Sequence, residues 1–336
     1  MTHPLPHRRR AWVLGVLVPV LVTAAAWLVV VRLLPRLPEP VAVHWGPSGI
    51  VDRTGSLAEL LVPMAVITGL SLLVLAVLSV LTGRQAITRR LTLGLAVGLS
   101  VLFAGMTLAS VVVQVDAASA AGAASPDGWL VASILAAVVL GAAAGALAGA
   151  DPALPATGAL AEGAPVADLP EGQRAVWVRG VAGLGTTLTW VIVAVGAVGG
   201  VALWLLGDTL VPLVITLPLL VLVLTMTTWQ VQVDARGLTA RGTFGWPRIH
   251  VPAGEIERAD VTTVRPFPEF GGWGLRTNVG GTVGVVIRSG EAIAVERSGG
   301  RHLVVTVDDA ASGAALLNTY AARARQQAPA RDATTD

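Results

Sequence analysis

The chain has no cysteine and no lysine, a single tyrosine, and charged residues at only 13% of its length. Without cysteine there can be no disulfides, thiolate metal sites or cysteine nucleophiles. All 23 basic residues are arginine, and with the abundance of Ala, Val, Leu and Gly this bias suggests a GC-rich bacterial genome. The formal net charge is only +2, and no basic stripe of the kind that holds nucleic acid is present. A hydrophobic content of 54% and positive mean hydropathy point away from an ordinary soluble protein.

What the chain has in quantity is long apolar runs. A helix needs roughly 20 apolar residues to cross the hydrocarbon core. Six segments meet that length, at about 11–34, 57–81, 91–115, 129–150, 182–206 and 209–228. None carries Asp, Glu, Arg or His near its middle, which counts against an ion-coupled transporter, because such machines bury ionisable groups. Arg8–Arg10, Arg84, Arg89, Arg90, Arg174 and Arg179 fall on one side. The positive-inside bias therefore predicts that both termini are cytoplasmic. Trp129, Trp204 and Trp229 lie near span ends, where an indole can bury its ring and keep its N–H wet.

Gly141, Gly145 and Gly149 recur at four-residue intervals in span four, and Gly196 and Gly200 do so in span five. Small residues at this spacing let helix backbones approach. Packing within one bundle is the simpler reading, and a homo-oligomer seam is the alternative. Between the fourth and fifth spans, 151–181 reads as a flexible cytoplasmic linker rich in Ala, Pro and Gly, with Trp177 near the membrane surface.

From Trp229 the pattern changes to strands. "WQVQVD" alternates apolar and polar residues, and further runs at 247–251, 258–264, 282–288, 291–297 and 301–307 are separated by Gly-containing turns. Asp308 or Asp309 can then open a helix over about 310–325. Short antiparallel strands followed by one helix resemble a bacterial pleckstrin-homology-like (PH-like) domain over 229–326, leaving 327–336 as a disordered tail. One segment breaks the regularity, 265–281, with Arg265, Phe270, Trp273 and Arg276 among its residues. It reads either as a loop folded back on the sheet or as a cytoplasmic contact loop.

The expected architecture is thus an all-α polytopic membrane bundle of six transmembrane helices plus a small, β-rich, PH-like cytoplasmic domain ending in a helix. Residues 1–10 form the cytoplasmic N-terminus, 11–81 a two-span hairpin, 91–150 spans three and four, and 182–228 spans five and six.

The hairpin's outer loop, 35–56, holds the densest cluster of polar chemistry, "VAVHWGPSGIVDRTGS". Ser56 and Glu59 have the spacing of a capping box for the second span. His44 and Asp52 supply two metal-ligand types, fewer than the three or four that zinc requires. No nucleophile elbow accompanies the serines. No metal, cofactor or catalytic residue is expected, and His44, Trp45, Asp52 and Arg53 read as a recognition loop. Pro38, Pro40, Val41, His44, Trp45, Gly49, Asp52, Arg53 and Gly55, set between two spans, resemble the SdpI-like bacterial membrane proteins (domain-of-unknown-function family 1648). The resemblance covers about residues 10–80. It implies a bacterial cytoplasmic-membrane protein whose relatives protect against a peptide toxin and take part in signalling.

The resulting expectation is a non-enzymatic membrane protein with a sensing, scaffold or immunity-like role. Its partners would be the lipid bilayer, an envelope peptide or protein outside, and a cytoplasmic protein inside, without nucleic acid. A permease for a neutral or amphipathic molecule is the alternative.

Overall fold

The computed structural model describes residues 7–183, 186–207 and 209–327. Of the tail expected at 327–336, Gln327 belongs instead to the last helix, and 328–336 lie outside that range, as do the first six residues and Asp208 of the turn between spans five and six. Contacts divide the chain into two units. One is built on residues up to Asp151 together with Ala194–Leu220, the other on Pro152–Val193 and the residues from Val221 onward.

Among the described residues, five helices are long and apolar enough to cross a membrane. They are α1 (Arg8–Arg36), α2 (Leu57–Leu81), α3 (Ala86–Val112), α4 (Asp127–Leu147) and α5, which spans Thr186–Gly207. A shorter apolar helix follows, α6 (Val211–Thr227). Many of their Leu and Val side chains are exposed, as expected where lipid replaces a protein core.

The start of α3 and the end of α4 differ from those read in the sequence. Helix α3 starts at Ala86 rather than 91 because the Asp151 carboxylate accepts the Ala86 N–H at 2.6 Å, a cap supplied from 65 residues away. Arg89 is consequently inside the helix and buried. Its guanidinium donates to the carbonyl of Gly83 (2.8 Å), just past α2, and to those of Gly149 (3.1 Å) and Ala150 (3.0 Å), beyond the end of α4. Arg10 donates to the Leu147 carbonyl at 3.0 Å. Carbonyls at and just past the C-terminus of α4 are thus met by cations, which also suit the negative end of its dipole.

The glycines of α4 face α3. A Cβ on Gly141 would come within 2.9 Å of the Gly94 carbonyl oxygen, and one on Gly145 within 3.0 Å of the Arg90 carbonyl oxygen. Gly149 departs from the expected face. It lies past the end of α4 at φ +90°, where it closes the helix instead of packing it. Gly196 and Gly200 bring α5 against α6, meeting Leu220 and Thr216.

In the second unit, β3 (Trp177–Ala182), β4 (Thr228–Asp234), β5 (Gly237–Gly242) and β6 (Arg248–Pro252) form an antiparallel meander in chain order. A five-stranded sheet has the order β7–β10–β11–β9–β8, with β7 at Ile256–Val264, β8 at Gly274–Thr277, β9 at Val283–Val286, β10 at Gly290–Arg297 and β11 at Arg301–Thr306. Its β11–β9 pair is parallel and the others are antiparallel. Helix α8 (Ala310–Gln327) lies against strands of both sheets, and a short helix α7 (Pro266–Phe270) precedes β8. Trp229, Val231, Leu238, Ile256, Ile293 and Leu317 are fully buried between these elements.

Three sequence expectations are corrected here. The segment read as a linker is part of the β unit: its last residues form β3, and its earlier ones are strapped to α8. Asn318 donates to the Pro165 carbonyl at 2.8 Å, the Tyr320 hydroxyl bonds Ala175 at 2.7 Å, and Arg323 donates to the carbonyls of Leu169, Pro170 and Gln173. Trp177 is buried, with its indole N–H donated to Asp309 at 3.1 Å, and does not rest on a surface. Trp229 is likewise in the core, because strand alternation puts it on the same face as Val231 and Val233.

Candidate recognition hairpin

The outer loop folds as a hairpin of β1 (Val41–Trp45) and β2 (Val51–Gly55). Gly46 N–H donates to the Ile50 carbonyl at 2.8 Å, and Gly49 takes φ +72°, a conformation glycine adopts at no steric cost. The Ser56–Glu59 capping box is formed in both directions and starts α2. Apolar residues anchor the base: Val41 is buried with Val30, Leu60 and Val111.

A two-stranded ribbon alone is marginal, and the segment after α3 supports this one. Gln114 is fully buried. Its side-chain oxygen accepts the Ala42 N–H at 2.7 Å, while its amide donates to the Ala42 carbonyl at 2.9 Å and the Ser110 carbonyl at 2.7 Å. The carboxamide therefore takes the place of a neighbouring strand. Trp45 donates its indole N–H to the Ala124 carbonyl at 3.1 Å. Arg36 forms a two-point ion pair with Asp116, whose backbone N–H donates to the Arg36 carbonyl at 2.9 Å. Hydrogen bonding from Arg36 holds the Asp116 carboxyl below its usual range. Sequence reading missed Gln114 and Asp116, although two polar residues closing an apolar span were the available signal.

Of the four expected recognition residues, His44, Asp52 and Arg53 are exposed together, while Trp45 is half-buried as a strut. His44 Nδ1 lies 2.7 Å from Asp52 Oδ1, and His44 is opposite Arg53 in the register. Among the described residues no group of three or more potential metal ligands occurs, so this pair has no third. The arrangement is a braced ribbon presenting an imidazole, a carboxylate and a guanidinium side by side. Such a surface can hydrogen-bond and pair with charge.

In the second candidate segment, 265–281, some side chains fold back on the sheet and others stay exposed. Phe270 is buried in a small cluster with Val264, Val286 and Ala292. Phe267 and Trp273 remain exposed and stack edge to face, with centroids 4.7 Å apart. Arg276 donates to the Trp273 carbonyl at 2.8 Å, and Arg265 pairs with Glu269 at 3.9 Å.

Residues 21–69 match the family model described as Domain of unknown function (DUF1648). The match runs from within α1, through both strands of the hairpin, into α2, so the ribbon is the central feature of that domain. No curated protein and no solved structure matches the chain.

Proposed function

We propose that this is a six-span membrane protein of the bacterial envelope that recognises an extracytoplasmic peptide or protein and couples it to a PH-like cytoplasmic domain. The role is sensing, scaffolding or immunity, without catalysis. The observation that carries the reading is the braced ribbon. Gln114, Trp45 and the Arg36–Asp116 pair fix a two-stranded element whose outward groups, His44, Asp52 and Arg53, are otherwise exposed. A pre-formed surface loses little freedom on binding. The exposed Phe267–Trp273 pair is the corresponding contact offered by the β unit. The resemblance to SdpI-like proteins favours the same reading.

The test is photocrosslinking in intact cells, with a photoreactive residue replacing Ile50, whose side chain is 66% exposed beside the polar trio. A discrete adduct that disappears when Asp52→Asn and Arg53→Gln are combined supports recognition. Both substitutions alter exposed side chains and should leave stability within about 0.5 kcal/mol. Adducts with lipid alone, in cells that express the chain normally, would remove the reading.

A further inference from the structure

The four-stranded sheet carries an open cavity of about 580 Å³, lined by Gly180, Val181 and Ala182 of β3, Thr228–Gln230 of β4, and Arg241–Thr243 with Gly245 around the end of β5. Its mouth is on the sheet's outer face, because Gly180, Gln230 and Arg241 are aligned across three strands, alternating with the buried Val181, Trp229 and Gly242. Gly180 creates the space: a Cβ there would meet nothing within 4 Å.

The chemistry of the lining is one-sided. Arg241 donates to two glutamine carbonyls, Gln230 Oε1 at 2.9 Å and Gln232 Oε1 at 3.4 Å, and among the described residues it pairs with no carboxylate. The lining contains no Asp or Glu. Arg248 stands opposite Arg241 in the register as a second, exposed cation. Such a site suits a phosphate oxygen, which guanidinium groups bind with charge-assisted hydrogen bonds.

Chain connectivity says where that phosphate comes from. Helix α6 runs directly into β4 at Thr227–Thr228, and β3 leads after Ala182 towards α5 at Thr186. Gly183 N–H donates to the Thr227 carbonyl at 3.2 Å, tying the two junctions together. The cavity therefore begins where two apolar helices end. The row of Gly180, Gln230 and Arg241 is two residues further along the strands, roughly 7 Å away. The headgroup layer on each side of a bilayer is of similar thickness, about 5–8 Å. The β5–β6 turn also belongs to this end, since the Thr243 hydroxyl donates to the Leu224 carbonyl of α6 at 2.7 Å. On that turn Phe244 and Trp246 are 66% and 64% exposed. Exposed aromatics at this depth match the interfacial belt of membrane proteins.

We infer that this cavity holds the phosphate of one phospholipid headgroup, contacted by Arg241, while Phe244 and Trp246 sit in the bilayer interface. The inference rests on the reading that α5 and α6 cross the bilayer, and the test separates the two. Because the chain has no native cysteine, single cysteines at Val221 and Trp246 can each carry a spin label in the full chain, reconstituted in phosphatidylglycerol–phosphatidylcholine vesicles. Oxygen and nickel-chelate accessibility give each label's depth. Native mass spectrometry of the detergent-released chain counts retained phospholipid in the wild type, in Arg241→Gln and in Gly180→Val, with inorganic phosphate added as competitor.

The expected result is a deep label at 221, an interfacial label at 246, and one retained phospholipid that falls by about fivefold or more in both variants, Arg241→Gln by losing a charge-assisted contact and Gly180→Val by filling the cavity. Inorganic phosphate should leave that lipid in place. A water-exposed label at 246, unchanged retention in both variants, or displacement by inorganic phosphate alone would each overturn the lipid site. A water-exposed label at 221 would instead remove the span reading, and the lipid site with it.

Discussion

Gln114 and Asn318 solve one problem at two distant places in the chain. Each is fully buried, and each bonds both the N–H and the carbonyl of one residue on an edge strand: Ala42 on β1 for Gln114, Ala259 on β7 for Asn318. An uncovered strand edge leaves such groups unpaired. Gln114→Leu and Asn318→Leu should therefore destabilise the hairpin and the β unit respectively, by about 1–3 kcal/mol per orphaned group. Limited proteolysis of the full chain in detergent checks this, with new cleavage near 41–55 for the first variant and near 256–264 for the second. Asp309 supplies a residue-scale pH test. Hydrogen bonds from Ser312 and Trp177, with Arg179 alongside, hold its carboxyl below the ordinary value of 3.8. The unfolded chain then binds a proton more readily than the folded one. The stabilisation is present above the ordinary value and is lost as pH falls through the folded one. Thermal melts from pH 7 to 3 should show a shallower acid limb in Asp309→Asn than in the wild type.

At the scale of elements, α3 and α4 are held at backbone contact, and the glycines there are not equivalent to glycines elsewhere. Gly141→Ala would set a methyl 2.9 Å from the Gly94 carbonyl oxygen, so the helices must separate, at a cost of about 1–3 kcal/mol. Gly199 on α5 has open space around it, and Gly199→Ala should be neutral or stabilising by up to about 1 kcal/mol. Melting of the two variants side by side distinguishes a packing seam from mere glycine content. The sequence conveyed these elements unevenly. Local signals survived well: the capping box at Ser56 and Glu59, the alternation of Trp229–Val233, and the glycine turns bounding β10. The early start of α3 was not legible, since its cap, Asp151, is supplied from 65 residues away. Nor was the order of 152–176, which has no periodicity of its own and is held by side chains about 150 residues distant. At the hairpin the exposed trio could be read directly, whereas its braces Gln114 and Asp116 showed only as polar residues closing an apolar span, with nothing local to name their partners.

The whole molecule combines apolar helices, a braced ribbon within the DUF1648 segment and a β-rich unit closed by a helix. Under the proposed function the ribbon meets its ligand outside the membrane, and residue 279 lies on the cytoplasmic side. The chain's lack of cysteine makes this directly measurable. Single cysteines at Ile50, on the ribbon, and at Val279, in the loop before β9, are both at exposed positions. Intact cells are treated with a membrane-impermeant maleimide before and after permeabilisation. Labelling is expected at position 50 in intact cells and at 279 only once the membrane is opened. Labelling of both positions from the same side would contradict that placement.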